Sequence, residues 1–328
     1  MELLLHLLYK WICMIVALLW IILGFALLIF GADALVKGAS ALAKRLKMSD
    51  LAIGLTIVAF GTSAPELVVS SAASLNQQSD LILGNVIGSN NFNLFIILGL
   101  VALLKPITVQ KGMVWIEIPI SLGVVAILFV LSNALLGAEV ASVSRLDAIL
   151  LLVLFAGFMF YVYKGLAKES SEDIPPEKIY STTKMISFIV LGLGGLVLGG
   201  HLVVTSATDI AITFGVSDKV IGLTIVATGT SLPELVTSVV AALKNNADIA
   251  IGNVIGSNIF NVLLIVPISA LIHPIAYNSS FNLDLFVLLG GSLFLFIAMF
   301  TGKAKRLDRW EALVLIISFV GYTLYMLF

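Results

Sequence analysis

Residues 54–99 read GLTIVAFGTSAPELVVSSAASLNQQSDLILGNVIGSNNFNLFIILG, and residues 222–267 read GLTIVATGTSLPELVTSVVAALKNNADIAIGNVIGSNIFNVLLIVP. The two segments are offset by 168 residues without a gap, and 27 of their 46 positions are identical. The likeness extends upstream, because Ser49-Asp50 matches Ser217-Asp218 at the same offset. Chance does not produce agreement of this kind, so the chain contains a duplication. Packing alone would preserve apolar character; here ten of the 27 identical positions are polar.

Working outward from the repeat, the composition sets the surroundings. The chain has 328 residues, 60% hydrophobic and 11% charged, against about 25% charged in an ordinary soluble domain. A spanning helix needs roughly 20 mostly apolar residues, and ten stretches qualify. They are Met14 to Val36, Leu51 to Ser74, Leu81 to Leu104, Trp115 to Leu131, Leu146 to Leu166, Met185 to Ala207, Val220 to Leu243, Ile249 to Ile272, Leu283 to Phe300 and Ala312 to Phe328. The expected fold is an all-α integral membrane protein with ten transmembrane helices. Residues 1–12 read as a short amphipathic lead-in. Trp11, Trp115 and Trp310 fall near span ends, where amphipathic rings favour the interface.

With the N-terminus outside, the odd-numbered loops carry 15 of the 18 basic residues, leaving only Lys10, Arg145 and Lys219 outside. Ten spans therefore satisfy the positive-inside pattern loop by loop. Both termini are then external, and the polar connection with Pro175 and Pro176 is cytoplasmic. The division is a first half over residues 1–166, a linker over 167–184 and a second half over 185–328. Five spans per half is an odd number, so the second half enters the bilayer upside down. Two inverted five-helix repeats are a construction principle of secondary transporters, whose substrate sites lie near the midplane on interrupted helices.

The interruption is visible in Gly61-Thr62-Ser63-Ala64-Pro65-Glu66 and in Gly229-Thr230-Ser231-Leu232-Pro233-Glu234. Proline removes an amide donor and disfavours helix in the residue before it. A break near Thr62 and Thr230 would free the carbonyls of Ala59, Phe60, Thr62, Ala227, Thr228 and Thr230. Such backbone survives in a membrane only beside protein or a wet cavity, and a hard cation can satisfy it. Ser63 and Ser231 stand at the N-cap position of the restarted helix. Glu66 and Glu234 follow at once. A charged residue at mid-bilayer costs about 2.5–3.5 kcal/mol on insertion scales and marks ion pathways by default. Neither repeat offers a basic partner at that depth.

The next span of each half carries Asn85, Ser89 and Asn93, mirrored by Asn253, Ser257 and Asn261. A spacing of four puts each trio on one helical face. Ser89, Asn93, Ser257 and Asn261 read as ligands, while Asn90 and Asn258 read as interhelical hydrogen-bonding groups. Gly84 and Gly88 would let another helix approach closely. All the donors are oxygens, which selects hard cations, and a loose cage of several oxygens suits Ca2+ better than Mg2+. Thiol and imidazole are absent from both repeats, which argues against zinc or copper. Cys13 is alone.

At these motifs the sequence resembles the Ca2+/cation antiporter superfamily, and within it the sodium/calcium exchanger family in its compact prokaryotic or archaeal form. The resemblance implies alternating-access exchange of cytoplasmic Ca2+ for external Na+, with H+ or K+ coupling as the alternative for the same cage. It implies sliding of the first and sixth spans against the repeat core. It implies carboxylate ligands at Glu66 and Glu234, carbonyl ligands at Ala59, Thr62, Ala227 and Thr230, hydroxyl ligands at Ser63, Ser89, Ser231 and Ser257, and an amide ligand at Asn93. Some members carry an aspartate where this chain has Asn261.

The remaining classes fit less well. A passive channel does not call for inverted repeats with broken helices. An enzyme lacks a histidine in either repeat to activate Ser63. There is no basic run for nucleic acid, and no resident cofactor is expected. Outside the repeats, Asp33 and His201 are equivalent positions and read as helix-end packing groups. Glu117 reads as interfacial and His273 as a loop residue.

Overall fold

The computed structural model describes residues 2–46, 48–133, 135, 141–165, 180–214, 227–302 and 305–327. The linker around Pro175 and Pro176, the first part of the seventh span with Ser217, Asp218 and Lys219, and the side chains of residues 2–13, Trp11 among them, lie outside the described residues. The architecture is helical. In chain order the helices are α1 Glu2–Leu46, α2 Asp50–Thr62, α3 Ala64–Leu75, α4 Ser79–Leu104, α5 Met113–Ser132, α6 Arg145–Gly165, α7 Thr182–Thr213, α8 Ala227–Thr230, α9 Leu232–Leu243, α10 Ala247–Ile272, α11 Asn282–Ala298 and α12 Arg309–Leu327. Among the described residues eight helices are long and apolar enough to cross a membrane, and α2 with α3, bent by 47° at their junction, makes a ninth.

The lead-in expected at the N-terminus is continuous with the first span, since α1 runs unbroken from Glu2 to Leu46. No Gly-Pro pair or capping residue interrupts it, and apolar residues continue through both parts. The stretch Met14–Leu46 has 33 residues and α7 has 32. At 1.5 Å per residue each is about 50 Å long, well beyond the ~30 Å hydrocarbon core, so each crosses at a tilt or projects from it.

These two long helices lie against each other along a line of glycines. A Cβ at Gly192 would stand 2.7 Å from the Leu35 amide nitrogen and 2.8 Å from the Gly31 carbonyl oxygen. One at Gly199 would stand 2.7 Å from the Gly24 carbonyl oxygen. Only hydrogen fits there, so the backbones approach as small residues permit in membranes. Their outer faces present Ile22, Phe30, Val190 and Leu191 to the surroundings, which is where a bilayer supplies the apolar solvent.

The centre of the molecule is α2–α3–α4 and α8–α9–α10. The bulk of α4 and α10 is buried. Gly252 and Gly256 of α10 seat it on α2: a Cβ at Gly252 would lie 3.0 Å from the Leu51 carbonyl oxygen and one at Gly256 2.9 Å from the Leu55 carbonyl oxygen. Among the described residues nothing meets a Cβ at Gly88, and only Phe281 approaches one at Gly84. The segment that the 168-residue offset would set against them, residues 219–223, lies outside the described residues.

Connections meet at two ends. At one end β1 (Ile107–Thr108) pairs antiparallel with β4 (Arg306–Leu307), Lys105 bonds Asn245, and the Asn246 Nδ2 donates to Asp50 at 2.8 Å and to Ser40 at 3.1 Å. At the other end β2 (Ser142–Val143) pairs antiparallel with β3 (Ile275–Ala276), and the Ala276 amide donates to Ser79 Oγ at 3.0 Å. The connections α1–α2, α4–α5, α9–α10 and α11–α12 thus share one end, and α3–α4, α5–α6 and α10–α11 share the other.

Outside the repeats, Asp33 is paired with Lys37 at 2.7 Å and with Lys244, joining α1 to the connection after α9. His201 and His273 are exposed. Glu117, expected near the interface, turns inward among its neighbours. It is fully buried and accepts a 2.5 Å hydrogen bond from the Tyr161 hydroxyl of α6. A partner 44 residues away, on another helix, makes that burial tolerable. Trp115 and Trp310 are more than half exposed, as interface rings should be.

Candidate functional site

The site is built where α2 gives way to α3 and α8 to α9. Pro65 and Pro233 fall within the first two positions of the restarted helices. Ser63 and Ser231 sit at the breaks with ψ near zero (φ −81°, ψ 6° and φ −88°, ψ 6°). Both occupy the N-cap position, as the sequence suggests, but neither side chain caps its helix. Each hydroxyl instead crosses to the other half of the chain.

Ser63 Oγ donates to Glu234 Oε1 at 2.9 Å, and Ser257 Oγ reaches the same oxygen at 3.5 Å. Reciprocally, Ser231 Oγ donates to Glu66 Oε1 at 3.2 Å, and Ser89 Oγ reaches it at 3.4 Å. Ser231 and Ser89 lie 3.1 Å apart. Each serine–glutamate bond has its mate at the 168-residue offset. The glutamates are each 1% exposed. Buried carboxyl groups are costly unless bonded, and here each is dressed by one serine from its own half and one from the other.

The asparagines divide by function. Asn90 Nδ2 donates to the Asn258 carbonyl oxygen at 3.2 Å, and Asn258 Nδ2 donates to the Asn90 carbonyl oxygen at 3.3 Å. This reciprocal clasp between α4 and α10 is the interhelical role expected for that pair. Asn93 Nδ2 donates to Asn258 Oδ1 at 3.1 Å and Asn261 Nδ2 donates to Asn90 Oδ1 at 2.9 Å. Both lie in widened π-helical turns, Phe92–Ile97 and Asn261–Ile265, a feature common at functional sites.

Among the described residues, the buried oxygens without a hydrogen-bond partner include four at this site: Glu66 Oε2, Glu234 Oε2, Asn93 Oδ1 and Asn261 Oδ1. Buried polar atoms are normally satisfied. These four are one carboxylate and one amide oxygen from each half, left over in equivalent positions, and oxygens of this kind could serve a hard cation. Among the described residues no three His, Cys, Asp or Glu side chains gather, so the set rests on two carboxyl groups and neutral oxygens.

The expected free carbonyls are corrected at one position. The Ala59 carbonyl oxygen accepts from the Ser63 amide at 3.0 Å and from Thr62 Oγ1 at 3.3 Å. The break falls at Ser63, one residue later than Thr62, so the last amide before it still closes the turn. Thr62 is fully buried and Thr230 partly so. Ala227 heads the described part of the second broken helix, and its side chain lies outside the described residues.

Sequence reasoning missed Ser70 and Ser238. Each accepts a 2.9 Å hydrogen bond from an asparagine, Asn85 and Asn253 respectively. The signal was available: a serine four residues after the glutamate, identical in both repeats.

A narrow, mainly apolar cleft of about 170 Å³ opens beside Ser63, lined by Phe60, Leu67, Phe260, Leu264 and Ile265.

The chain matches the family model described as sodium/calcium exchanger protein over residues 16–164 and 184–328. It is 33% identical to the sodium/calcium exchanger MaX1 of Methanosarcina acetivorans, covering 85% of this chain and 89% of that protein. It is 36% identical to the inner membrane protein YrbG of Escherichia coli, covering 72% and 75%. Its fold is similar to that of the sodium-calcium exchanger NCX_Mj soaked with 2.5 mM Na+ and 0.1 mM Ca2+, with a TM-score of 0.80, 32% identity, and coverage of 93% of this chain and 97% of that one.

Proposed function

The chain belongs to the sodium/calcium exchanger family, and on that premise we propose that it extrudes Ca2+ in exchange for Na+ by alternating access. It is a multi-pass membrane antiporter and not an enzyme. The observation that carries the reading of the site is the set of four unpartnered buried oxygens, two from each half. Glu66 and Glu234 supply the charge that neutralises one Ca2+. Asn93 and Asn261 supply amide oxygens. Ser63, Ser89, Ser231 and Ser257 stand at the carboxylates and keep hydroxyl lone pairs for the ion. The carbonyls of Thr62, Ala227 and Thr230, at the ends of the broken helices, complete the cage, whereas that of Ala59 is taken up by the Ser63 amide and the Thr62 hydroxyl. Na+ competes for the same oxygens with half the charge, which is how one cage couples two ions.

The ten-span, inverted arrangement is supported by parity. Connections one, three, seven and nine meet at one end and connections two, four and eight at the other. Spans two, three, four, eight and nine each join opposite ends, the first broken span included, and an odd number of spans five to seven must cross as well, which all three doing so satisfies. The basic residues cluster at the first of these ends, which makes it cytoplasmic, with both termini outside. The halves are residues 1–166 and 185–328, joined by a cytoplasmic linker over 167–184. An inner-membrane location is supported by the likeness to YrbG.

Radioactive Ca2+ uptake into proteoliposomes loaded with Na+ tests this. Uptake should require internal Na+ and vanish in Glu66→Gln and in Glu234→Gln, with both variants folded. Uptake driven by a pH gradient with choline inside would replace Na+ by H+, and a requirement for K+ would add that ion. Full activity in both glutamine variants would overturn the assignment of the cage.

A further inference from the structure

Four asparagine positions on α4 and α10 face the site, two from each half, and their hydrogen bonding separates them. Asn93 and Asn261 each keep an oxygen without a partner. Asn85 and Asn253 do not. Asn253 is fully buried and uses every polar atom it has. Its Nδ2 donates to the Glu234 carbonyl oxygen at 3.3 Å and to Ser238 Oγ at 2.9 Å. Its Oδ1 accepts from Thr62 Oγ1 at 2.9 Å. Asn85 repeats the pattern. Its Nδ2 donates to the Glu66 carbonyl oxygen at 3.2 Å and to Ser70 Oγ at 2.9 Å, and its Oδ1 faces Thr230 Oγ1 at 3.5 Å. An amide has two N–H donors and one oxygen, so both groups of these side chains are engaged.

We propose that Asn85 and Asn253 are positioning residues that do not touch the ion, each tying the glutamate helix of its own half to the threonine of the other half. The two N–H bonds of Asn253 grip α9 at Glu234 and one turn later at Ser238, which fixes the rotation of that helix and so the direction of the Glu234 side chain. The same amide holds the Thr62 hydroxyl, the last residue before the break in the first half. A displacement of Glu234 is thereby felt at the Thr62 carbonyl, and the mirror linkage joins Glu66 to Thr230. The two halves of the cage then respond to an ion together. This inference rests on the reading of the cage as a Ca2+ site.

The test is a double-mutant cycle on equilibrium Ca2+ binding to the full chain in detergent, measured by calorimetry for protein that elutes as a single folded species. The isosteric Thr62→Val should weaken binding about tenfold, the value of one ordinary hydrogen bond, and Asn253→Ala, which also releases the two bonds to α9, should weaken it further. Because the Thr62 bond is already lost in Asn253→Ala, the double variant should be no weaker than Asn253→Ala alone. The unlinked pair Asn85→Ala with Thr62→Val should instead multiply, the double variant losing the product of the two single losses. Equal multiplication in both pairs would overturn the proposal, as would loss of all binding in Asn253→Ala. Where Asn253→Ala fails to fold, Asn253→Asp decides. It keeps an acceptor for Thr62 but deletes both N–H donors, so a positioning role predicts weaker Ca2+ binding. Tighter binding would mean that position 253 touches the ion. Wild-type protein that binds Ca2+ but does not carry it against Na+ would refute the exchange reading while leaving the cycle readable.

Discussion

Replacing Gly192 by alanine tests the seam between the two longest helices. The new Cβ would stand 2.7 Å from the Leu35 amide nitrogen, 2.8 Å from the Gly31 carbonyl oxygen and 2.9 Å from the Leu35 Cα. All three are backbone atoms, so no side chain can rotate away. Ordinary contact begins at 3.4 Å, and reaching it requires α1 and α7 to part by about 0.7 Å along a seam closed by glycines on both sides. Overpacking of this kind costs about 1–3 kcal/mol, and in a membrane the lost van der Waals contact is not recovered from a hydrophobic effect between helices. A graded series makes the reasoning checkable. Gly195→Ala meets its nearest atom at 3.3 Å and should be mild, while Gly194→Ala meets nothing within 4 Å and should be neutral. Thermal unfolding in detergent should rank the variants in that order, Gly192 worst. If Gly192→Ala melts with Gly194→Ala, the seam is not closed as described and the account of how α1 and α7 associate fails.

Tyr161→Phe removes the 2.5 Å bond to the buried Glu117 and should destabilise by about 1–3 kcal/mol, seen as a lowered melting temperature; an unchanged one would mean Glu117 finds water or another donor. Ser63→Ala and Ser231→Ala each delete the cross-half bond to a glutamate and should weaken Ca2+ binding about tenfold, to a similar extent because the bonds are mates. Asn261→Asp trades the 2.9 Å donation to Asn90 Oδ1 for two oxygens facing each other. It should cost about 1–3 kcal/mol without ion, and added Ca2+ should raise its melting temperature more than that of the wild type. A smaller Ca2+ shift than wild type would place position 261 away from the ion.

Much of this site is legible in one dimension because it repeats. The offset of 168 residues, the proline after each break, and the four-residue spacing of Asn85, Ser89 and Asn93 are local facts, and local spacing fixes which residues share a helical face. What spacing cannot give is the partner across the molecule. Ser63 occupies the cap position that its sequence context predicts, yet its hydroxyl goes to Glu234, 171 residues away. The same limit explains Glu117, whose burial depends on a tyrosine of another helix, and the two-residue strands that join connections at each end, too short to carry a periodic signal. The continuity of α1 through residues 2–46 was missed because the composition changes near residue 13 while the backbone has no reason to stop.

The reciprocity of the serine–glutamate bonds also bears on how the protein is made. Glu66 receives its cross-half hydrogen bond from Ser231, 165 residues further along the chain. At roughly 5–20 residues per second of synthesis, the ribosome needs on the order of 8–30 s to deliver that serine after Glu66 itself has emerged. During that interval the first half resides in the membrane with a carboxyl group whose final setting does not yet exist. Glu234 has no such delay, since Ser63 is already waiting. Biogenesis is therefore asymmetric in a molecule whose finished site is nearly symmetric, and the nascent first half is the stage at which assembly factors would have something to protect.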